Sequence, residues 1–261
     1  MEQIKKEYIS DKGIFMNIDL ENKVAVITGA GRGIGKAIAI SYATIGAKVC
    51  CLSRSQNEID DTASYISSKN GTAIALTCDV SNYIELEKTF QNIYKTLGGV
   101  DIVVVNAGID CEKASVEELR IEDWEKVMNV NFTGAFCTAK VAIPYLKKQG
   151  GGKIITIGSG LGHKGRVDNA AYSCSKAGLW MLTRVLAQEL YKFNISVNEL
   201  IPGPVVTNMG DISIKDSNSA FSADSEWIKG PEDVTNLALF LATKPLIGPT
   251  GQTFSLMRKD L

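Results

Sequence analysis

Histidine is almost absent from this chain, since His163 is the only one among 261 residues. A Ser-His-Asp hydrolase would therefore have to use His163, and no Gly-x-Ser-x-Gly turn lies between a strand and a helix, so this class is disfavoured. The six cysteines include no Cys-x-x-Cys motif and no metal-ligand spacing. We interpret them as reduced structural thiols and predict no metal site.

Net charge is also almost absent, because 28 basic and 29 acidic side chains leave −1. A chain with this balance has no excess of positive charge to attract nucleic acid or an anionic membrane. No apolar run approaches the ~20 residues that span a bilayer. The opening residues 1–8 lack the apolar segment of a signal peptide. We therefore expect a cytoplasmic protein whose partner is a small molecule, with neither nucleic acid nor membrane bound.

The apolar content of 45% is sufficient for one α/β domain with a large core, although the length alone would also permit two domains. Apolar runs alternate with helical patterns, which is typical of βαβ units around a parallel sheet. The two longest helices are predicted at 121–147 and 169–192, and Pro144 is expected to kink or end the first. The predicted strands are 23–28, 47–52, 72–77, 101–105, 153–158, 195–200 and 251–255.

The chain contains no internal repeat or linker, so we predict one domain over 20–261. Residues 1–19 are predicted to be a flexible N-terminal extension. Residues 208–230 are rich in polar side chains, and we expect a mobile loop there, within a substrate loop of about 205–230.

A glycine-rich turn, Thr28-Gly29-Ala30-Gly31-Arg32-Gly33-Ile34-Gly35, follows the first predicted strand and opens a helical pattern. Strand, glycine-rich turn and helix form the context that a dinucleotide-binding fingerprint requires. Gly29 would allow the tight turn, Gly33 the approach of a pyrophosphate, and Gly35 close packing of helix and strand. The helix N-terminus would supply N–H groups and a positive dipole end. An ordinary glycine-rich turn is the alternative, and both flanks disfavour it.

Tyr172 and Lys176 are four residues apart on a predicted helix, where such pairs are neighbours. A cation about 4 Å from the phenol, at an effective dielectric of ~20, is worth roughly 4 kcal/mol, or about three pK units. This would bring the pKa of Tyr172 from ~10 close to neutrality. We therefore predict a proton donor and acceptor, the alternative being an exposed helix pair.

From about residue 20 to residue 254 the chain resembles the short-chain dehydrogenase/reductase family. The resemblance implies a single-domain Rossmann-type, doubly wound parallel sheet of about seven strands with helices on both faces. It also implies a nicotinamide-dependent oxidoreductase. The motifs that carry it are Thr28 to Gly35, Asp79, Asn106-Ala107-Gly108, Asn131, Ser159, Tyr172 with Lys176, and Pro202-Gly203 with Thr207.

The resemblance assigns catalytic roles to four of these residues. Tyr172 would protonate a carbonyl oxygen as hydride arrives, or remove the proton in the reverse direction. Lys176 would hold the ribose hydroxyls and lower the pKa of Tyr172, and Ser159 would bind the substrate oxygen. Asn131 would hold a water in the proton relay. A turn serine and a packing or capping asparagine are the alternatives for Ser159 and Asn131.

The resemblance likewise implies cofactor contacts. The predicted cofactor-binding residues are Gly29, Gly31, Arg32, Gly33, Ile34, Gly35, Ser53, Arg54, Asp79, Val80, Asn106, Ala107, Gly108, Tyr172, Lys176, Pro202, Gly203, Val205 and Thr207. The chain departs from the family pattern at Val105, where a first asparagine is frequent, and near the C-terminus, where Asp-Gly-Gly is absent. The second departure concerns contacts between subunits.

Cofactor preference is predicted from the end of the second strand. NAD-specific sites place an acid about 20 residues past the glycines, but here Ser53 and Arg54 occupy that place and no acid follows until Glu58. Ser53, Arg54 and Arg32 can bind a 2′-phosphate. We predict NADP(H), with NAD(H) possible; the alternative is that both arginines are solvent-facing.

The substrate is less defined. The segment Ile154 to Ser159 is similar to that of 3-oxoacyl-[acyl-carrier-protein] reductases, yet Gly150 and Gln188 stand where those enzymes carry basic residues. Segment 163–169 is polar, either as a pocket wall or as a solvated loop. We predict a small sugar, polyol or hydroxy acid. The alternatives are a 3-oxoacyl-[acyl-carrier-protein] reductase and, in another class, a non-catalytic NADP(H)-binding sensor or scaffold. The resemblance also implies that the two long helices pair across a two-fold axis, so we predict a homotetramer or homodimer.

Overall fold

The computed structural model describes residues 19–207 and 226–258. The predicted extension, apart from Asp19, and residues 208–225 of the predicted loop lie outside the described residues. No helix within the described ranges has the length and apolarity needed to cross a membrane.

Seven parallel strands form one sheet in the order β3-β2-β1-β4-β5-β6-β7. All seven predicted strands are confirmed to within two residues. The order reverses between β1 and β4, and ligands of open α/β sheets bind at such a switch point, beyond the carboxyl ends of the strands. The strands are β1 Val24–Thr28, β2 Lys48–Ser53, β3 Thr72–Thr77, β4 Ile102–Val105, β5 Gly152–Ile157, β6 Ile195–Ile201 and β7 Thr253–Ser255.

Helices cover both faces of the sheet, as expected for buried strands such as β4, all of whose residues are apolar. The helices are α1 Gly33–Thr44, α2 Gln56–Ser68, α3 Tyr83–Leu97, α4 Ile121–Met128, α5 Gly134–Lys148, α6 Leu161–Lys164, α7 Ala170–Leu190 and α8 Thr235–Thr243. One core packs α3, α5 and α7 on the sheet, and a second core packs α1, α2 and α8 on the other face. Cys50 and Cys51 of β2 enter opposite cores because successive strand side chains alternate.

The helix predicted at 121–147 has the expected extent but is not uniform. A π-helical turn, Asn129–Thr133, separates α4 from α5. Such turns are rare and frequent at functional sites. Pro144 lies inside α5 without ending it, because Pro144 and Lys140 are both exposed, so the carbonyl that loses its amide partner can reach water. The second long helix is α7, which continues as a 3₁₀ turn over Tyr191–Phe193.

Candidate active site

The glycine turn between β1 and α1 has the backbone that its sequence predicts. Gly29 and Gly33 have φ angles of +66° and +54°, in the left-handed region that favours glycine. A Cβ on Gly35 would lie 2.3 Å from the carbonyl oxygen of Gly29, so only glycine lets the helix start this close to the strand. No side chain caps the N-terminus of α1, and its first turn contains no acid. These features suit an anion such as a pyrophosphate.

The loop after β4 is fastened to this turn by Thr28 and Asn106. The Thr28 hydroxyl oxygen accepts the N–H groups of Asn106 and Ala107 at 2.9 and 3.0 Å. In return, Asn106 Nδ2 donates to the carbonyl oxygens of Thr28 and Gly29 at 2.8 and 3.2 Å. Two carboxyl-end loops are thus held together at the switch point. The predicted contact of Asn106 with the cofactor stays a prediction.

A cavity of about 320 Å³ opens at this point, in the size range of small-molecule sites. Thirteen predicted cofactor residues line it: Gly29, Gly31, Arg32, Gly33, Ile34, Ser53, Arg54, Asp79, Val80, Asn106, Ala107, Gly108 and Thr207. The predicted residues that do not line it are Gly35, Tyr172, Lys176, Pro202, Gly203 and Val205. Five further lining residues were not predicted: Ser55, Glu58, Cys78, Ile109 and Val130. Cys78 and Ile109 adjoin predicted residues in the sequence, so extending the motifs by one position would have found them.

Both arginines predicted to bind a phosphate lie at the cavity, and each has a carboxylate nearby. Arg32 Nη1 is 3.1 Å from Glu58 Oε1, and Arg54 Nη1 is 3.9 Å from Asp79 Oδ2. The Ser53 hydroxyl bonds only locally, to the backbone of Ser55. The Glu58 carboxylate therefore contacts Arg32 of the glycine turn. Glu58 can be read from the sequence, but its pairing with Arg32 cannot.

The surroundings of Asp79 favour its charged form. Burial acts to raise its pKa, but the hydroxyl and N–H of Ser81 donate to Oδ1 at 2.7 and 2.9 Å, and Arg54 adds a positive charge. The net result is a pKa below the ordinary range of an aspartic acid. Asp79 is consequently a fixed anion at neutral pH, and it orients the start of the loop that carries Val80.

Asn131, Ser159, Tyr172 and Lys176 come from three different segments and meet at the carboxyl ends of β4 and β5. The Ser159 hydroxyl hydrogen-bonds to the Tyr172 phenol. Lys176 Nζ donates to the carbonyl oxygen of Ile157 at 2.8 Å, and it lies 5.7 Å from the centre of the Tyr172 ring. Asn131 Nδ2 donates to the Ser175 hydroxyl of α7 at 3.1 Å. Ser175 was not predicted, because nothing in its sequence position distinguishes it from a packing serine.

The prediction that Lys176 brings the pKa of Tyr172 close to neutrality is wrong for this structure. Burial raises the pKa of Tyr172 to about 12, the charge of Asp110 acts in the same direction, and the Ser159 hydroxyl only partly opposes them. Lys176 bonds to the strand and not to the phenol oxygen. Its own pKa is lowered to about 8 by burial, against the opposing charge of Glu199. At neutral pH the phenol is therefore protonated, which is the state that a proton donor needs.

The side chain of Asn131 is buried in the π-helical turn and binds the backbone of Ile109 on both sides. Its Oδ1 accepts from the Ile109 N–H at 2.8 Å, and its Nδ2 donates to the Ile109 carbonyl oxygen at 2.9 Å. The residue thereby fixes the loop that follows the Asn106-Ala107-Gly108 motif. Its predicted role in holding a water stays a prediction.

Asn131→Leu is expected to lower the free energy of unfolding by about 2–4 kcal/mol. Two backbone groups of Ile109 would lose their partner, and each unsatisfied buried group costs ~1–3 kcal/mol. Urea denaturation measures the change. Asn129→Leu, at an exposed position of the same turn, is the control and should stay within ~0.5 kcal/mol of the wild type. Equal stability of the two variants would contradict the structural role of Asn131.

The polar segment 163–169 does not form one wall. Residues 164–168 are exposed, whereas Asn169 is buried at the start of α7. His163 turns inward, with its ring 4.8 Å from the Trp180 ring and Nε2 3.0 Å from Glu199 Oε2. Within the described ranges, no three His, Cys, Asp or Glu side chains are close enough together to hold a metal ion.

The family model for the short chain dehydrogenases matches residues 23–218. The chain belongs to the short-chain dehydrogenase/reductase family. Family members are oxidoreductases that act on carbonyl or alcohol groups with NAD(P), and this short-chain dehydrogenase is therefore an enzyme of that type. The predicted family and fold class are both confirmed.

Individual relatives of this short-chain dehydrogenase carry different names. A 3-oxoacyl-[acyl-carrier-protein] reductase of Aquifex aeolicus is 34% identical over 91% of this chain and 96% of its own length. Carbonyl reductase family member 4 of Xenopus laevis is 36% identical over 87% of this chain and 93% of its own. The crystal structure of a putative NAD(P) dependent gluconate 5-dehydrogenase from Beutenbergia cavernae, with bound NADP, superposes with a TM-score of 0.84 at 33% identity. The superposition covers 91% of this chain and 96% of the chain of that gluconate 5-dehydrogenase.

Proposed function

We propose that this short-chain dehydrogenase interconverts a carbonyl group and a secondary alcohol in a small polar substrate, with NADP(H) as the hydride carrier. The observation that carries the proposal is the meeting of Ser159, Tyr172 and Lys176 at the carboxyl end of β5, on the sheet edge where the cavity of the glycine turn opens. A general acid, a hydroxyl donor and a cation are gathered there. Sugars, polyols and hydroxy acids are the substrate class that we favour.

Each residue has a definite task in the reductive direction. The cofactor, when bound, supplies the hydride that reduces the carbonyl carbon. The Tyr172 phenol gives its proton to the carbonyl oxygen, so that a neutral alcohol forms. The Ser159 hydroxyl donates to the same oxygen while negative charge develops on it. Lys176 would hold the cofactor ribose and its charge would stabilise the phenolate that remains, and Asn131 keeps the loop after β4 in place.

Polar groups around the phenol support a hydroxylated substrate. Asp110, in the loop after β4, is close enough for its charge to act on Tyr172, and it pairs with Lys113. A carboxylate near the phenol can accept hydrogen bonds from substrate hydroxyl groups, and it disfavours an apolar chain because a charge left without polar partners costs free energy. The likeness to the putative gluconate 5-dehydrogenase points in the same direction.

The alternative substrate is a 3-oxoacyl group on acyl carrier protein, as the name of the Aquifex aeolicus relative suggests. An acidic carrier needs free basic groups near the site entrance. Three basic side chains close in sequence to Gly150 and Gln188 instead lie over aromatic rings: Lys147 over Phe193, Lys148 over Tyr94 and Arg184 over Trp180. These contacts reduce, without abolishing, what the cations offer to a carrier. A non-catalytic sensor has no need for the complete set of four polar residues.

A panel of substrates tests the proposal, with the consumption of NADPH followed by its absorbance. The panel contains keto-sugars, keto acids, acetoacetyl-coenzyme A and an acetoacetyl thioester of acyl carrier protein, and gluconate with NADP⁺ for the reverse direction. Turnover of keto-sugars or keto acids above that of the thioesters is the expected result. Preference for the carrier-bound thioester would establish the alternative, and tight NADPH binding with no turnover would indicate the sensor.

Assembly and location complete the proposal. Phe136 of α5 and Met181 and Val185 of α7 are large apolar side chains with 43–49% of their surface exposed. Faces of this kind suit pairing of the two helices with a second copy. We expect light scattering at micromolar concentration to give the mass of a homotetramer or homodimer, and a monomer alone would contradict this. A cytoplasmic location stays our proposal.

A further inference from the structure

Glu199 is a fully buried carboxylate to which the proposed mechanism gives no task. It lies on β6, between Thr156 of β5 and Thr253 of β7. Oε2 accepts the Thr253 hydroxyl at 2.8 Å and lies 3.0 Å from His163 Nε2, whose N–H can donate to it. Oε1 has no hydrogen-bond partner among the described residues. A buried carboxylate in this condition needs a positive charge nearby, because desolvation strongly disfavours its ionised form.

The nearby positive charge is the ammonium of Lys176. Lys176 Nζ donates to the carbonyl oxygen of Ile157, the last residue of β5. Glu199 Oε1 lies against the next residue, Gly158, where an added Cβ would be only 2.0 Å from it. Ammonium and carboxylate therefore adjoin consecutive residues of one strand end. The charge of Glu199 opposes the lowering of the pKa of Lys176 that burial causes.

The packing of α6 holds this arrangement in place. A Cβ on Gly162 would lie 2.7 Å from the backbone carbonyl carbon of Lys176, so α6 contacts α7 at the catalytic lysine itself. The His163 ring packs on Trp180, one helical turn beyond Lys176. Carboxylate, imidazole and ammonium are thus fixed by the same contacts between helices and strand end.

We propose that Glu199, held by His163 and Thr253, is a positioning residue that keeps the Lys176 ammonium charged, and so able to act on Tyr172 and the cofactor ribose. Other ionisable groups on the elements packed around Lys176 do not take its place. Among the described residues, Glu199 is the one whose charge opposes the loss of the Lys176 proton. The other ionisable side chains of α7 and of the elements around it are Tyr172, Cys174, Arg184 and Glu189 of α7, Lys164 of α6, Lys153 of β5, Asp110 after β4, and Glu122, Asp123, Glu125 and Lys126 of α4. The inference depends on the proposed function only for the role given to Lys176.

Glu199→Gln tests the inference, because the amide keeps the shape of the carboxyl group and removes its charge. In protein labelled with ¹³C at lysine Cε, the Lys176 resonance is identified by its loss in Lys176→Met. Its pH midpoint in the wild type is expected at about 8. We expect Glu199→Gln to lower this midpoint by about one pH unit or more, since the removed charge is close and desolvated. With an active substrate, the alkaline limb of kcat should move by the same amount.

Two further variants keep the test decisive. Glu199→Met removes the same charge without placing an amide beside His163, and it replaces the Gln variant should that one fail to fold. Glu226→Gln changes another buried carboxylate, one bonded to the N–H of Arg258, and should leave the Lys176 midpoint unchanged. An unchanged midpoint in the Glu199 variants would overturn the inference even if the enzyme reduces carbonyls. A lowered midpoint in a protein that reduces nothing on the panel would support the inference and refute the proposed function.

Discussion

Tyr172→Phe is expected to lower turnover by at least the ~10²-fold typical of a lost general acid. The substitution removes the transferable proton and leaves the ring in place. Its loss also frees the Ser159 hydroxyl, whose bond to the phenol stabilises the phenolate. The measurement is kcat in the reductive direction, with NADPH binding followed by fluorescence and expected to be kept. Tyr191→Phe, at an exposed tyrosine just beyond α7, is the matched control and should behave as the wild type.

The pH dependence of the same reaction separates Tyr172 from Lys176. A phenol with a pKa of about 12 stays protonated throughout the neutral range, so its titration should not limit reduction there. The Lys176 ammonium, with a pKa lowered to about 8, is present below that pH and lost above it. Reduction should therefore be level near neutrality and fall as the pH rises through about 8. Near-normal turnover of Tyr172→Phe, or a rate that rises through that range, would contradict the assignment of the general acid.

The fold could be predicted because its signals are local. β4 is a continuous apolar run that needs cover on both faces, Gly29 and Gly33 have a backbone that few other residues adopt, and Gly35 leaves no room for a Cβ. Parallel strands place their carboxyl-end loops at one edge of the sheet. For this reason residues as distant in sequence as Thr28 and Asn106 could be assigned to one site before their hydrogen bonds were known.

The other features of the candidate site depend on burial and on contacts that the spacing of residues in the sequence does not determine. Helix spacing put Tyr172 beside Lys176 but did not reveal that Ile157 binds the ammonium, and desolvation reversed the expected direction of the pKa shift. The π-helical turn around Asn131 has no composition of its own. The His163 pairing with Glu199 and the Arg32 pairing with Glu58 join residues 36 and 26 positions apart, and either histidine or arginine could equally have faced solvent.

We expect Glu58 to compete with a 2′-phosphate for Arg32. Its carboxylate pairs with Arg32, and both side chains are partly exposed, so the pair is screened and is worth ~0.2–1 kcal/mol. A 2′-phosphate can therefore displace Glu58 from Arg32 at small cost and gain a charge-assisted contact. Glu58→Gln removes the competing acid. It is expected to raise the catalytic efficiency with NADPH by about twofold to fivefold and to leave that with NADH nearly unchanged.

Ser53→Asp should have the largest effect on the choice between the two cofactors. Ser53 ends β2 and lines the cavity, so a carboxylate there would accept bonds from the ribose hydroxyls and repel a 2′-phosphate. Repulsion of about 3 kcal/mol between such close charges corresponds to a change of about 10²-fold in the ratio of kcat/KM for NADPH to that for NADH. Ser53→Asn has the size of the aspartate variant without its charge, and it should change the ratio far less.

The wild type is expected to prefer NADPH, with Arg32 and Arg54 as the phosphate ligands. A wild-type enzyme that works better with NADH, or equal ratios for the Asp and Asn variants, would contradict the binding of a 2′-phosphate at Ser53, Arg32 and Arg54.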